Sequence, residues 1–205
     1  MGYGRNFPLP TSPLIRYPRN QRILGHKIPK WTSANRAGVS GYSDPNSRKG
    51  GETEATKTAN VIPTNKSKGC CNVKLSGGMS LDIHLNVGHP NYGTPDAVDD
   101  QGRSFIDHEY VHVGIHVAYW NQMADLVNGV ERDYCCKCAE IAVRGAKAVI
   151  KISYAQAAQA NARFDLAAYS SQMTQQEIDK LNNTNSDEIG GVQFSVNLLE
   201  ARRAG

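Results

Sequence analysis

The stretch Ser104–Gly129, SFIDHEYVHVGIHVAYWNQMADLVNG, decides the fold. Ser104 is a good N-cap and Asn128-Gly129 a good stop. Between them Phe105, His108, His112, Ile115, Tyr119, Met123 and Leu126 recur at three- and four-residue steps, the stripe of an amphipathic helix. A second, alanine-rich helix is expected from about Asp133 towards Tyr169. Its Ala139, Ala142, Val143, Ala146, Val149 and Ile150 suit close packing against the first helix as a helical hairpin, with Gly145 as a weak point. Thr174-Gln175-Gln176-Glu177 reads as a capping box flanked by Met173 and Ile178, so a short third helix begins there.

Upstream, Met79, Leu81, Ile83, Leu85 and Val87 alternate with Ser80, Asp82, His84 and Asn86, the period of a half-buried strand. Val73 and Leu75 predict a preceding strand, with Gly77-Gly78 as turn or bulge. Val192, Phe194, Val196 and Leu198 predict a last strand able to pair with 79–87. Gly88 to Gly102 reads as a loop in which Asp96, Asp99 and Asp100 form a solvated acidic rim. The fold class is therefore α+β: a helical hairpin packed on a small antiparallel sheet, over residues 69–205.

Residues 1–68 read differently. Seven prolines (Pro8, Pro10, Pro13, Pro18, Pro29, Pro45 and Pro63) interrupt every possible helix, and apolar residues come in scraps. Residues 1–50 hold nine Lys or Arg against one acid, Asp44, so a charge of +8 sits on a chain whose total is +4. This predicts a long irregular basic arm that ties subunits together in a homo-oligomer or larger assembly. Nucleic acid is the poorer partner, because aromatics are sparse and no nucleic-acid fold signature accompanies the charge. No run approaches the eighteen apolar residues of a membrane span, and the N-terminus lacks the apolar region of a secretory signal.

The chemistry lies in His108-Glu109-Tyr110-Val111-His112, an HExxH motif on the first helix. Four residues turn a helix by about 40° past one full turn and advance it by about 6 Å, so both imidazoles leave one face. That pair suits Zn²⁺, with one position left for water. Glu109 beside it suits a general base for hydrolysis. A third ligand is not given by the spacing. His116 lies about 12 Å along a straight helix from His108 and reaches the same ion only if the helix breaks at Gly114. Packing about Gly129 brings residues near 146–152 opposite the motif, and these hold no carboxylate. Asp165, or His84, His89 and Asp82 from the strand region, remain open.

The stretch from Asp107 to Tyr169 resembles a family of secreted bacterial proteins of unknown function that are predicted zinc-dependent proteases. The matching pieces are His108-Glu109-x-x-His112-Val113-x-Ile115 with Tyr119, a cysteine opening the next helix (among Cys135, Cys136 and Cys138), and Gln159-Ala160-Asn161-Ala162-Arg163-Phe164-Asp165. The resemblance covers about a third of the chain, implies a zincin-like domain and puts Asp165 first as the third ligand. Where that family usually has Thr-x-His-Gly, this chain has Leu166-Ala167-Ala168-Tyr169.

Cys70, Cys71, Cys135, Cys136 and Cys138 form two clusters far apart in sequence. They predict disulfides joining the strand region to the second helix, hence an extracellular or cell- or virion-surface location. The expected activity is hydrolysis of a peptide or protein by a zinc metallopeptidase, the substrate pairing along strand 79–87. The alternative is a structural subunit of a virion, filament or surface assembly built on a peptidase-like domain.

Overall fold

The computed structural model describes residues 27–65, 70–130, 133–169, 171 and 173–182. The elements run β1 (Gly38–Tyr42), β2 (Gly51–Asn65), β3 (Cys70–Asn86), α1 (Phe105–Asn128), β4 (Asp133–Cys135), α2 (Cys136–Tyr169) and α3 (Gln175–Asn182). The class is α+β, with α1 and α2 packed on each other and on the sheet. The expected strand at 192–198 and the basic residues 1–26 lie outside the described residues.

β3 is the spine. Cys71, Val73, Leu75, Met79, Leu81, Ile83 and Leu85 are all buried and all odd-numbered. The phase of alternation passes unbroken through Gly77-Gly78, so one 17-residue strand forms where two strands and a turn were expected. Gly77 instead serves the contact between strands. A Cβ there would collide with the carbonyl oxygen of Thr58 on β2, so the glycine lets the two backbones approach.

The partners of β3 correct the expectation of an arm over residues 1–68. β2 pairs with β3 antiparallel from Gly51↔Leu85 to Asn65↔Cys71. β1 pairs with it in parallel from Gly38↔Asp82 to Tyr42↔Asn86, and β4 antiparallel at Cys70↔Cys135. The sheet is thus mixed, in order β1-β3-β2, where an antiparallel one was expected. Along 82–86, β3 is enclosed on both sides, which rules out the expected docking of a substrate strand there; among the described residues β2 forms one edge of the sheet and β1 the other. Pro63, which donates no backbone hydrogen bond, is tolerated in β2 because of that edge position.

Further pieces of the expected arm are also built in. Ile28 lies in the core. Asn128 both donates to and accepts from the Ile28 backbone (2.9 and 2.7 Å), and Asn121, seven residues earlier on the same face of α1, does the same for Trp31 (2.9 and 2.8 Å). The Trp120 indole donates to Pro29 O at 2.8 Å. Fully buried Asn86 organises the β1–β2 connection, donating to Asp44 O and Lys49 O and accepting from Asp44 N and Gly88 N.

α1 begins as expected: Ser104 Oγ accepts from Asp107 N, and the helix runs without a break past Gly114. Its buried stripe drifts from the expected one. Trp120 and Val127 face the core where Tyr119 and Leu126 were expected, and Leu126 is exposed. Ala139, Val143, Ala146, Ile150 and Ala157 of α2 face inward, and α2 continues through Gly145. No described helix is long and apolar enough to cross a membrane.

Met123 is fully buried in the centre of this cluster. Met123→Ala is expected to lower the unfolding free energy by about 2–5 kcal/mol, the cost of a core cavity, read by urea denaturation; Leu126→Ala, on the exposed side of α1, is expected to change it by less than about 0.5 kcal/mol.

Candidate metal centre

α1 presents His108, Glu109 and His112 to a buried space between α2 and β2. Their ligand atoms lie within 4.8 Å of one another and could hold a metal ion. His108 Nε2 and His112 Nε2 are 3.1 Å apart. Asp165 Oδ1, from α2, is 3.3 Å from the first and 2.9 Å from the second. Asp165 rather than a residue of 146–152 faces the motif because α2 starts only after β4 has carried the chain to β3, which offsets the hairpin.

The other sequence candidates lie elsewhere. His84 is even-numbered on β3 and so points away from the helices; its Nδ1 meets Ser40 Oγ at 2.7 Å and its Nε2 lies 3.7 Å from Glu54. Asp82 shares that parity. His89 stacks edge-on with Phe105 at 5.1 Å. His116 contacts Lys57 and Asn161 instead of the pair.

Two residues that carried no role in the sequence reading set the proton positions. Asp99 was expected on a solvated rim, but it is buried and accepts from Arg103 Nε (2.8 Å), Arg103 N (2.9 Å) and Gln101 N (3.0 Å). Burial raises its pKa, but these bonds and that of His108 outweigh it, and the carboxyl is held below its ordinary range. Its Oδ2 lies 3.1 Å from His108 Nδ1, so that nitrogen carries the proton and Nε2 a lone pair. Asn161 donates through Nδ2 to Ala157 O at 2.9 Å, which turns Oδ1 towards His112 Nδ1 at 2.7 Å. His112 is thereby a donor at Nδ1 and, in its neutral form, offers a lone pair at Nε2 as well. The Asp99–Arg103 spacing and the i, i+4 pair Asn161–Asp165 were the available signals.

Three acceptors therefore converge: two imidazole nitrogens and a carboxylate oxygen. Such a cluster needs a positive charge in its midst, either a proton or a cation. The titration behaviour agrees. Burial pushes His112 down, but the Asp165 hydrogen bond and charge, helped by Asn161, lift it above its ordinary value. Burial likewise pushes Asp165 up, and His108 and His112 override it and bring the carboxyl to about 2.

Glu109 approaches from β2's side. Thr53 Oγ1 donates to its Oε2 at 2.7 Å, and a Cβ on Gly51 would stand 3.2 Å from its Cγ and Oε1, so the glycine leaves the carboxylate room. Burial raises its pKa, countered in part by Thr53 and the two histidines. Phe164 and Tyr169 wall the centre, with ring centroids 4.7 and 4.8 Å from that of His108. Burial, then the charges of Glu109, Asp99 and Asp165, push the Tyr169 hydroxyl up, so it stays protonated. No protein-family model, curated protein or solved structure matches this chain.

A depressed carboxyl stabilises the fold above its unfolded pKa and loses that contribution as pH falls through the folded value. For Asp165 that window runs from its ordinary 3.8 down to about 2. In chelator-treated protein, the stability gap between the native chain and Asp165→Asn is expected to hold from about pH 4–5 to about pH 6, to close towards pH 2, and to shrink again as pH rises through the raised pKa of His112, read by denaturation at stepped pH.

Proposed function

We propose that this chain is a zinc-dependent hydrolase acting on peptide bonds, with His108, His112 and Asp165 as the ligands. The convergence of three groups that can each turn a lone pair on one point carries the reading. Two ligands about 2.0–2.1 Å from a tetrahedral ion stand about 3.3 Å apart, and the donor separations here are 3.1, 3.3 and 2.9 Å. Two imidazoles and one carboxylate leave a fourth position open, the pattern of hydrolytic rather than structural zinc. The resemblance of Asp107–Tyr169 to predicted bacterial zinc proteases supports the same set.

Bound zinc supplies Lewis acidity that makes water a nucleophile near neutral pH. The chain's own residues do the rest. Glu109, its proton affinity raised by burial, takes a proton at a carboxylate oxygen and returns it to the leaving amine. Thr53 fixes the orientation of that carboxylate. Asp99 and Asn161 hold the two imidazoles in the ligating tautomer. Tyr169, protonated and beside His108, supplies a hydrogen-bond donor for charge developing on the substrate oxygen. A peptide substrate adds as a strand to the edge of β2, which is unpaired among the described residues and carries Gly51 and Thr53 to Glu109. The ladder that sets Cys70 opposite Cys135 supports a disulfide bridge between the cysteine clusters, and with it an oxidising, extracellular or surface location.

Glu109→Gln is expected to leave one zinc per chain while lowering the hydrolysis of a quenched fluorescent peptide library by about 10²–10⁴-fold. A native chain that takes up no stoichiometric zinc, or a variant as active as the native, contradicts the reading.

A further inference from the structure

The metal centre gathers acceptors in want of a cation; one turn further along α1 the balance reverses. His116 has a donor on each side of its ring. Asn161 Nδ2 lies 3.2 Å from its Nε2, and Lys57 Nζ lies 2.8 Å from its Nδ1. The Ala157 carbonyl fixes the amide in that orientation, and an ammonium has donors only. A neutral imidazole has one lone pair for these two groups, and its own N–H is a further donor. Burial and the neighbouring charges of Lys57 and His112 bring His116 down to about 4, so the ring is neutral at pH 7.

Two more features mark the same want of an acceptor. Among the described residues the Lys57 ammonium meets His116 and, at 5.4 Å from its centroid, the Tyr154 ring, but no carboxylate. Holding an ammonium out of water is costly unless an anion pairs with it, and burial is what brings Lys57 down to about 8. The Tyr154 hydroxyl is buried with no hydrogen-bond partner among the described residues. Several N–H and O–H groups around one positive charge suit a carboxylate, whose two oxygens accept from more than one donor. Lys57, His116, Tyr154 and Asn161 are each only half-buried, so the cluster is open on one side.

Its position relates it to the metal centre. His116 lies about 6 Å along α1 from His112. Lys57 shares the inward face of β2 with Thr53, about 13 Å further along that strand. An extended peptide covers these spans with about two to four residues. We propose that Lys57, together with His116, Asn161 and Tyr154, forms a carboxylate subsite of the hydrolase, and that its substrates are peptides bearing a carboxylate, on an acidic side chain or at a free C-terminus, within a few residues of the bond that is cut. This rests on the peptidase reading above and names the substrate class. Lys57 is thus a specificity-determining residue.

The test compares three versions of one quenched fluorescent peptide library on the full zinc-loaded chain. One is amidated and free of acidic residues, one is amidated with a single glutamate, and one is neutral in its side chains with a free C-terminus. kcat/KM is expected to be about 10–100-fold higher for a carboxylate-bearing version, the range for hydrogen bonds to a charged group; the version that gains identifies the source of the carboxylate. Lys57→Met is expected to abolish that preference, and Lys57→Arg to retain it. A second measurement needs no zinc. Acetate, added to chelator-treated chain with ionic strength held by chloride, is expected to shift the ¹⁵N resonances of His116 and the Asn161 amide saturably in the native chain and not in Lys57→Met. Equal cleavage of all three versions, a preference that survives Lys57→Met, or resonances that ignore acetate in the native chain overturns the proposal. If the native chain cleaves no peptide, the peptidase reading falls, and the acetate titration alone decides whether the subsite exists.

Discussion

Two imidazoles and a carboxylate brought within about hydrogen-bond distance of one another are the constraint around which this molecule is arranged. Like-charged or acceptor-only groups do not share a buried space unless something positive joins them. Each element contributes to keeping that arrangement. α1 supplies two imidazoles one turn apart, and α2 returns at the offset that brings a carboxylate to both. The loop before α1 supplies Asp99, and β2 supplies the surface against which Glu109 is held. The centre lies where helices and sheet meet, so its donors are oriented by packing as much as by hydrogen bonds.

The contrast between Asp99 and Asp165 shows how burial and partners divide the work. Burial raises both carboxyls, and in both it loses to hydrogen bonds. Asp99 commits its acceptor capacity to Arg103, Gln101 and His108, and is thereby a fixed orienting group. Asp165 faces only the two imidazoles, which leaves its oxygen available. Glu109 has one hydroxyl donor, and burial outweighs both it and the two nearby histidines, so its pKa moves the other way. Three carboxylates within one centre are thus set apart by their surroundings alone: Asp99 is fixed beside His108, Asp165 is held ionised, and Glu109 is pushed towards its protonated form.

How much of this was legible in the chain depends on the range of each interaction. His108, Glu109 and His112 are set by local helical geometry, and a five-residue motif is enough to find them. Ser104 as cap and the reach of α1 to Asn128 are local as well. Asp165 was reached through resemblance, because its place opposite His108 depends on the offset of two helices, which the connection through β4 determines. Asp99 looked like one of three exposed acids; only the docking of its loop distinguishes it from Asp96. β2 escaped notice for a different reason. Its inward face is Thr53, Ala55, Lys57, Ala59 and Val61, polar or small at most positions, so the apolar alternation that marks β3 is absent. That same polarity is what brings Thr53 to Glu109 and Lys57 to His116. The segment hardest to read as a strand is the one that serves the centre.

The most direct measurement of the central claim is the X-ray absorption fine structure of the chain loaded with one equivalent of zinc. The account predicts a first shell of two imidazole nitrogens with oxygen donors at about 2.0–2.1 Å, and the loss of one imidazole contribution in His112→Ala. A shell containing sulfur at about 2.3 Å, or one unchanged by removing His112, would place the ion on the cysteines or elsewhere and contradict it.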